Sequence, residues 1–249
     1  MRKVAEYTYQ VQPLDVDFSD RLRLTQLLGY LLHTAGMNAM ENGFGMEVLH
    51  EQGKTWVASR LAMEVLYYPK AHETFRIETW IEDYGRVFTT RNFRMTGEDG
   101  TPMGAGTSIW CMLDLKARKA MDLSGTDYSA FVTGIPSLIE KPHRLPALSG
   151  ESISRHRVKY SDLDFNKHAN SMKYIEWMTD LFPLDLFQQR NISRLDINYI
   201  NEALYGEVVE IFRDQPDEGG CQFEMRRGSD IICRAGMQFD GPYNLMAGN

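Results

Sequence analysis

Two short stretches of this chain repeat one another across a distance long enough to hold a complete folded unit. Val16-Asp17-Phe18-Ser19-Asp20-Arg21 lies on Leu163-Asp164-Phe165-Asn166-Lys167-His168 at an offset of 147 residues (Asp17 to Asp164). Each is followed by a segment with apolar residues at helical spacing. Downstream, Ser59-Arg60-Leu61 lies on Ser193-Arg194-Leu195 at an offset of 134 (Arg60 to Arg194). A chain built this way is constrained to fold as one supersecondary unit made twice, the second copy having the shorter passage from helix to strands.

The two halves read alike. The first predicts a strand near 4–14 and a helix from about 22 to 41, whose Leu24, Leu27, Leu28, Leu31 and Leu32 make a broad apolar face. Strands follow near 55–67, 73–82, 87–96 and 102–114, divided by turn signals such as Asp83-Tyr84-Gly85 and Gly97-Glu98-Asp99-Gly100. The second half predicts a strand and a helix, then strands near 192–199, 207–213, 222–227 and 230–239, with turns at 217–220 and 228–230. Residues 116–150, carrying Pro136, Pro142, Pro146, Gly125 and Gly134, read as a linker with short local structure. The expected organisation is a unit over 1–115, a linker over 116–150 and a unit over 151–249. Pattern alone makes this α+β, one helix packed on antiparallel strands in each copy.

With 249 residues and 43% hydrophobic content, two units with substantial cores are affordable. The net charge of −7 argues against general attraction to nucleic acid or anionic membrane. Met1-Arg2-Lys3-Val4-Ala5-Glu6-Tyr7 lacks the apolar core of a signal peptide, and nowhere do eighteen uncharged apolar residues run together, so no membrane span and a cytoplasmic location are expected. Cys111, Cys221 and Cys233 are an odd number without C-x-x-C spacing and read as reduced, buried thiols.

Chemistry concentrates in Tyr160-Ser161-Asp162-Leu163-Asp164-Phe165-Asn166-Lys167-His168-Ala169-Asn170, which packs two acids, two amides and an imidazole ahead of a helical segment. Free N–H groups at that helix N-terminus would favour developing negative charge. A capped helix, with Asn166 or Asn170 as the cap, accounts for part of the run but not for His168. Asp162-x-Asp164-x-Asn166 imitates an EF-hand start, yet the sixth position is Lys167 rather than Gly and the twelfth Lys173 rather than Glu, so no metal site is expected. His33, His50, His72, His143 and His156 read as packed or surface residues. Gly104-Ala105-Gly106-Thr107-Ser108-Ile109 lacks the last glycine of a dinucleotide loop and sits in a strand-like run. Glu202, taken alone, is a surface glutamate.

Read with its helix, the run resembles the D-x-D-x-x-x-H-x-N-x-x-x-Y signature of hot-dog-fold thioesterases, on Asp162, Asp164, His168, Asn170 and Tyr174. Asp164-x-Asn166-x-His168-x-Asn170, followed by Lys173-Tyr174-Ile175 and by Tyr199 to Glu202, resembles more narrowly the acyl-ACP thioesterases of plants and bacteria. The resemblance covers nearly the whole chain. It implies two tandem hot-dog units, each an antiparallel sheet wrapped around a central helix, and hydrolysis of the thioester joining a fatty acyl chain to acyl carrier protein (ACP), without cofactor. The residues it assigns to catalysis are Asp164, Asn166, His168 and Glu202. Plant members commonly carry Cys after the glutamate, where this chain has Ala203, so a cysteine nucleophile is unavailable there. Because the first copy has Ser19 and Arg21 where the second has Asn166 and His168, the second is expected to do the chemistry and the first to shape an acyl cavity, with Ala35 and Gly36 in its wall. Docking of an acidic carrier would use nearby basic residues, with Lys167, Lys173, Arg190 and Arg194 as candidates. An acyl-CoA thioesterase, a non-catalytic acyl-binding module and a homodimeric assembly remain open alternatives.

Overall fold

The protein is described here by a computed structural model over residues 3–125, 127–214 and 220–240; of the turn expected at 217–220, residues 217–219 lie outside the described residues. The chain divides into two compact units, Met1–Pro142 and His143–Asn249.

In the first unit, β1 (Val4–Gln10) leads to α1 (Leu24–Glu41) and the short α2 (Met46–Glu51). Five strands follow: β2 (Lys54–Val65), β3 (Thr74–Tyr84), β4 (Phe88–Gly97), β5 (Pro102–Asp114) and β6 (Lys119–Ala120). The sheet is antiparallel in the order β1-β3-β4-β5-β2, with β6 paired to the end of β5. Leu27, Leu28 and Leu31 of α1 are fully buried, each contributing about 1.5–3 kcal/mol of hydrophobic stabilisation. The helix lies close on the sheet because β5 offers it a glycine: a Cβ at Gly106 would stand 3.1 Å from Leu31 Cδ1. The incomplete glycine motif is thus a strand that accommodates a helix. Residues 116–142 pack on this same unit. Leu123 is buried with Leu49 and Met112, and Trp80 Nε1 donates to the Ile135 carbonyl at 2.9 Å.

In the second unit, β7 (Ser154–Arg157) leads to α3 (Ser171–Thr179) and α4 (Leu184–Gln189), then β8 (Ile192–Tyr199), β9 (Val208–Arg213), β10 (Gly220–Arg227) and β11 (Asp230–Phe239). Its antiparallel order is β8-β11-β10-β9-β7. Tyr174, Ile175, Trp177 and Met178 turn the buried face of α3 inward. Glu224, 1% exposed, is held by Arg226 and by Arg234 at 2.5 Å.

Both offsets seen in the sequence are structural equivalences. Leu24 and Ser171, the first residues of α1 and α3, are 147 apart. Ser59 and Ser193, 134 apart, are each the extra residue of a β-bulge. The Met103 carbonyl accepts the N–H groups of Leu66 and Tyr67, as the Ile232 carbonyl accepts those of Ile200 and Asn201. Most of the difference between the offsets is taken up by the helix, 18 residues in α1 and 9 in α3, and the rest by the earlier start of β2 ahead of its bulge, Lys54 before Ser59 against Ile192 before Ser193. Cys111, Cys221 and Cys233 are free and buried, as expected. Among the described residues no helix is long and apolar enough to cross a membrane.

Candidate functional site

Residues 160–170 form a closed loop organised by Asp164. Its Oδ1 accepts the backbone N–H groups of Asn166 (2.8 Å) and His168 (3.1 Å), while its own N–H donates to the His168 carbonyl at 2.8 Å. Such an Asx turn needs a left-handed residue to close, and Lys167 supplies it at φ 65°. The turn that lysine was expected to prevent therefore forms, although Lys173 still lacks the carboxylate of a calcium loop. The first unit builds the same loop: Asp17 Oδ1 accepts from the N–H groups of Ser19 (2.8 Å) and Arg21 (3.1 Å), and Asp20 has φ 57°. The copies thus share a scaffold and differ in what it carries.

In the second copy the loop places His168 beside the chain leaving β8. His168 pairs with Leu204 through an isolated antiparallel bridge, and the Ala169 N–H donates to the Ala203 carbonyl at 2.8 Å. The buried hydroxyl of Tyr174 accepts the Ala203 N–H at 3.2 Å, anchoring the residue after Glu202 to α3. Burial pushes the Tyr174 phenol up, so it stays a neutral hydrogen-bonding group. These ties bring Glu202 Oε1 to 3.3 Å from His168 Nδ1, with the imidazole 22% and the carboxylate 41% exposed. The exposed glutamate read from sequence is therefore also the partner of the histidine.

Asn166 is exposed, and its side-chain amide makes no hydrogen bond among the described residues. Asn170 is the cap of α3, its Oδ1 accepting the Met172 N–H at 3.0 Å and its carbonyl the Lys173 N–H at 2.8 Å. The helix N-terminus thus offers fewer free donors than the sequence suggested, since the cap occupies them.

Asp162 stands behind the loop. It is 5% exposed, and its Oδ2 lies 2.9 Å from His156 Nε2 and accepts the Lys159 N–H at 2.7 Å. The His156 ring stacks on Trp177 with centroids 4.0 Å apart. Burial raises the Asp162 carboxyl pKa, but hydrogen bonds from His156 and Lys159 and the nearby charges of His156 and Lys173 outweigh it and hold the group below the usual carboxylate range. His156, unremarkable in sequence, is thus a support of the loop. Its signal was available in Asp15 and Tyr30, which at the repeat offset occupy the places of Asp162 and Trp177 and bond to each other at 2.9 Å.

The basic candidates divide. Arg194 is 8% exposed and bound to Asp196 at 2.6 Å, and Lys173 is bound to Glu176 at 2.6 Å, so burial and pairing withdraw Arg194 from any docking surface. Lys167 is exposed.

A cavity of about 250 Å³ opens inside the first unit. Its wall includes Ala35, Gly36, Phe44, Trp56 and Trp110, with the buried Arg91 among them. Both small helix residues singled out in the sequence thus border free volume.

Two α+β units, each a sheet with its own packed helix, define a tandem hot-dog protein whose second copy carries an imidazole–carboxylate pair. The model of the acyl-ACP thioesterase N-terminal domain matches residues 2–129 and that of the C-terminal domain residues 147–240. An acyl-ACP thioesterase of Bacteroides thetaiotaomicron, known from its crystal structure, is 37% identical with a TM-score of 0.91, over 96% of this chain and 98% of that one. The 12:0-ACP thioesterase of Umbellularia californica has the same fold, with a TM-score of 0.81 at 18% identity over 96% of this chain and 94% of that one. The chloroplastic palmitoyl-acyl carrier protein thioesterase of Gossypium hirsutum is 24% identical over 223 residues, which are 83% of this chain and 54% of that protein. The chain spans about half the length of the curated relatives it matches, 46% of a Cuphea viscosissima acyl-ACP hydrolase for example. This chain belongs to the acyl-ACP thioesterase family.

Proposed function

We propose that the protein hydrolyses the thioester between a fatty acyl chain and ACP, releasing free fatty acid in the cytosol. In this reading Asn166, His168 and Glu202 of the second unit do the chemistry with Asp164 holding their loop, and the first unit receives the acyl chain. The observation that carries the reading is the Glu202 carboxylate at 3.3 Å from His168 Nδ1. A carboxylate there keeps the proton on Nδ1 and leaves Nε2 as the lone-pair nitrogen, the tautomer a general base needs.

Nε2 removes a proton from water as the water oxygen bonds to the thioester carbonyl carbon. The carbonyl oxygen becomes an oxyanion, to which the free amide of Asn166 can donate. Collapse of this adduct breaks the C–S bond, and the proton held by His168 passes to the departing sulfur. Glu202 stabilises the imidazolium between these steps, as a carboxylate does for the histidine of a hydrolytic triad. Asp164 positions rather than transfers, because its Oδ1 already binds the N–H groups of the two residues whose side chains act.

Release of free thiol from acyl-ACP and from the matched acyl-CoA tests the reading. Turnover is expected on the carrier-linked substrate, and His168→Ala is expected to lower it by roughly two to four decades with the fold intact. Equal use of acyl-CoA would remove the carrier from the function, and a folded His168→Ala protein of near-normal activity would remove the site.

A further inference from the structure

The first-unit cavity is mostly apolar, yet it is bordered by a charge that the hydrolytic chemistry does not use. Arg91, on β4, is 5% exposed and lines the cavity. The hydrogen bonds of its guanidinium among the described residues both leave from Nη1, to Asn38 Oδ1 at 2.8 Å and Thr79 Oγ1 at 3.1 Å. Both acceptors are neutral, and no carboxylate among the described residues pairs with it. Burial lowers the guanidinium pKa to about 10, which still leaves it charged at neutral pH. The Trp56 side chain lines the same space, and its Nε1 is buried with no acceptor among the described residues.

A buried cation is costly unless its donors are met, and Arg has five N–H donors to satisfy. An unsubstituted alkyl chain filling this cavity would exclude water from the guanidinium and offer nothing in return. A chain carrying an oxygen would fill the volume and supply the acceptor. Resting on the reading that this cavity receives the acyl chain, we propose that Arg91 is a specificity residue selecting acyl chains that carry a hydroxyl or carbonyl oxygen away from the thioester. Hydrogen bonds to charged groups are strong enough for a preference of about tenfold or more.

The test has a catalytic and a binding arm. In the first, kcat/KM is compared for decanoyl-ACP and for decanoyl-ACPs hydroxylated near the thioester, mid-chain and at the terminus, with wild type and Arg91→Met. One hydroxylated substrate is expected to exceed the plain one about tenfold, and the methionine variant to reverse that order. In the second, calorimetry on the wild-type protein measures binding of methyl decanoate and its hydroxylated esters, which lack the free carboxylate that could itself pair with Arg91. Tighter binding of a hydroxylated ester is expected. Hydrolysis of plain and hydroxylated chains at equal rates, equal binding of the esters, or a substrate order unchanged in folded Arg91→Met overturns the assignment. Should the variant not fold, the wild-type binding arm decides alone. Selective ester binding without hydrolysis of any acyl-ACP would instead uphold the subsite and defeat the proposed hydrolytic function.

Discussion

His168 and Arg21 occupy the same position in two loops of the same geometry, and on the proposed mechanism that difference sets apart the copy that moves a proton. A guanidinium does not release its proton near neutral pH, whereas an imidazole with a carboxylate on Nδ1 accepts one readily on Nε2. The partner position changes in parallel, Glu202 in the second copy standing where the first has Tyr68 at the 134-residue offset. If Glu202 orients and stabilises the imidazole, Glu202→Gln should lower kcat more than it raises KM, leaving activity between wild type and His168→Ala. Steady-state kinetics on one acyl-ACP checks this, and a variant changed in KM alone would make Glu202 a binding group instead. Much of this was legible in the sequence because Asp164, Asn166 and His168 share one loop. The contact to Glu202 was not, since it depends on the hydrogen bonds of Ala169 and Tyr174 to Ala203. Arg91 was illegible for another reason: a charged residue in a strand reads as exposed, and only the packed sheet reveals it as interior.

At the scale of elements, three strands were readable to the residue, Pro102–Asp114, Ile192–Tyr199 and Asp230–Phe239 falling where periodicity and turn signals set them, and β2, β3 and β4 lie within two residues of their expected bounds. The helices α2 and α4 escaped notice because six residues carry too little periodicity to register. The Asp164 loop depends on elements beyond its own sequence: β7 supplies His156, α3 supplies Trp177, and Asp162 joins them to the loop. The Asp162 carboxyl titrates below its usual range in the folded state. Its stabilisation is therefore complete above the unfolded pKa of about 3.9 and is lost as pH falls through the lower folded value. Asp162→Asn should be less stable than wild type at neutral pH, with the gap narrowing as the solution is acidified below the usual carboxylate range. Urea midpoints of both proteins at stepped pH measure it. A gap of constant size would mean that the carboxylate charge is not what holds the loop.

For the molecule as a whole, under the proposed assignment duplication lets one scaffold serve two tasks without compromise between them. In these proposed roles the hydrolytic loop needs partial exposure, as His168 and Glu202 have, whereas the acyl site needs apolar volume, as the first unit has in the partly open cavity beside α1. The repeat was visible in the sequence because loop and bulge are short-range features, but the volume was not, since the cavity is defined by side chains from α1, α2, β2, β3, β4 and β5. Gly36 allows the division to be tested directly. A Cβ built there meets nothing within 4 Å, and leucine is the better helix former, so Gly36→Leu should fold and project its side chain into the cavity. Chains long enough to need that space should lose about tenfold or more in kcat/KM for each methylene excluded, while short chains keep wild-type rates. Glu202→Ala should instead lower every chain length by a similar factor, because the thioester is the same in all of them. Measured across one series of acyl-ACPs, an even loss in Gly36→Leu together with a reshaped length profile in Glu202→Ala would show that the two units have the opposite roles.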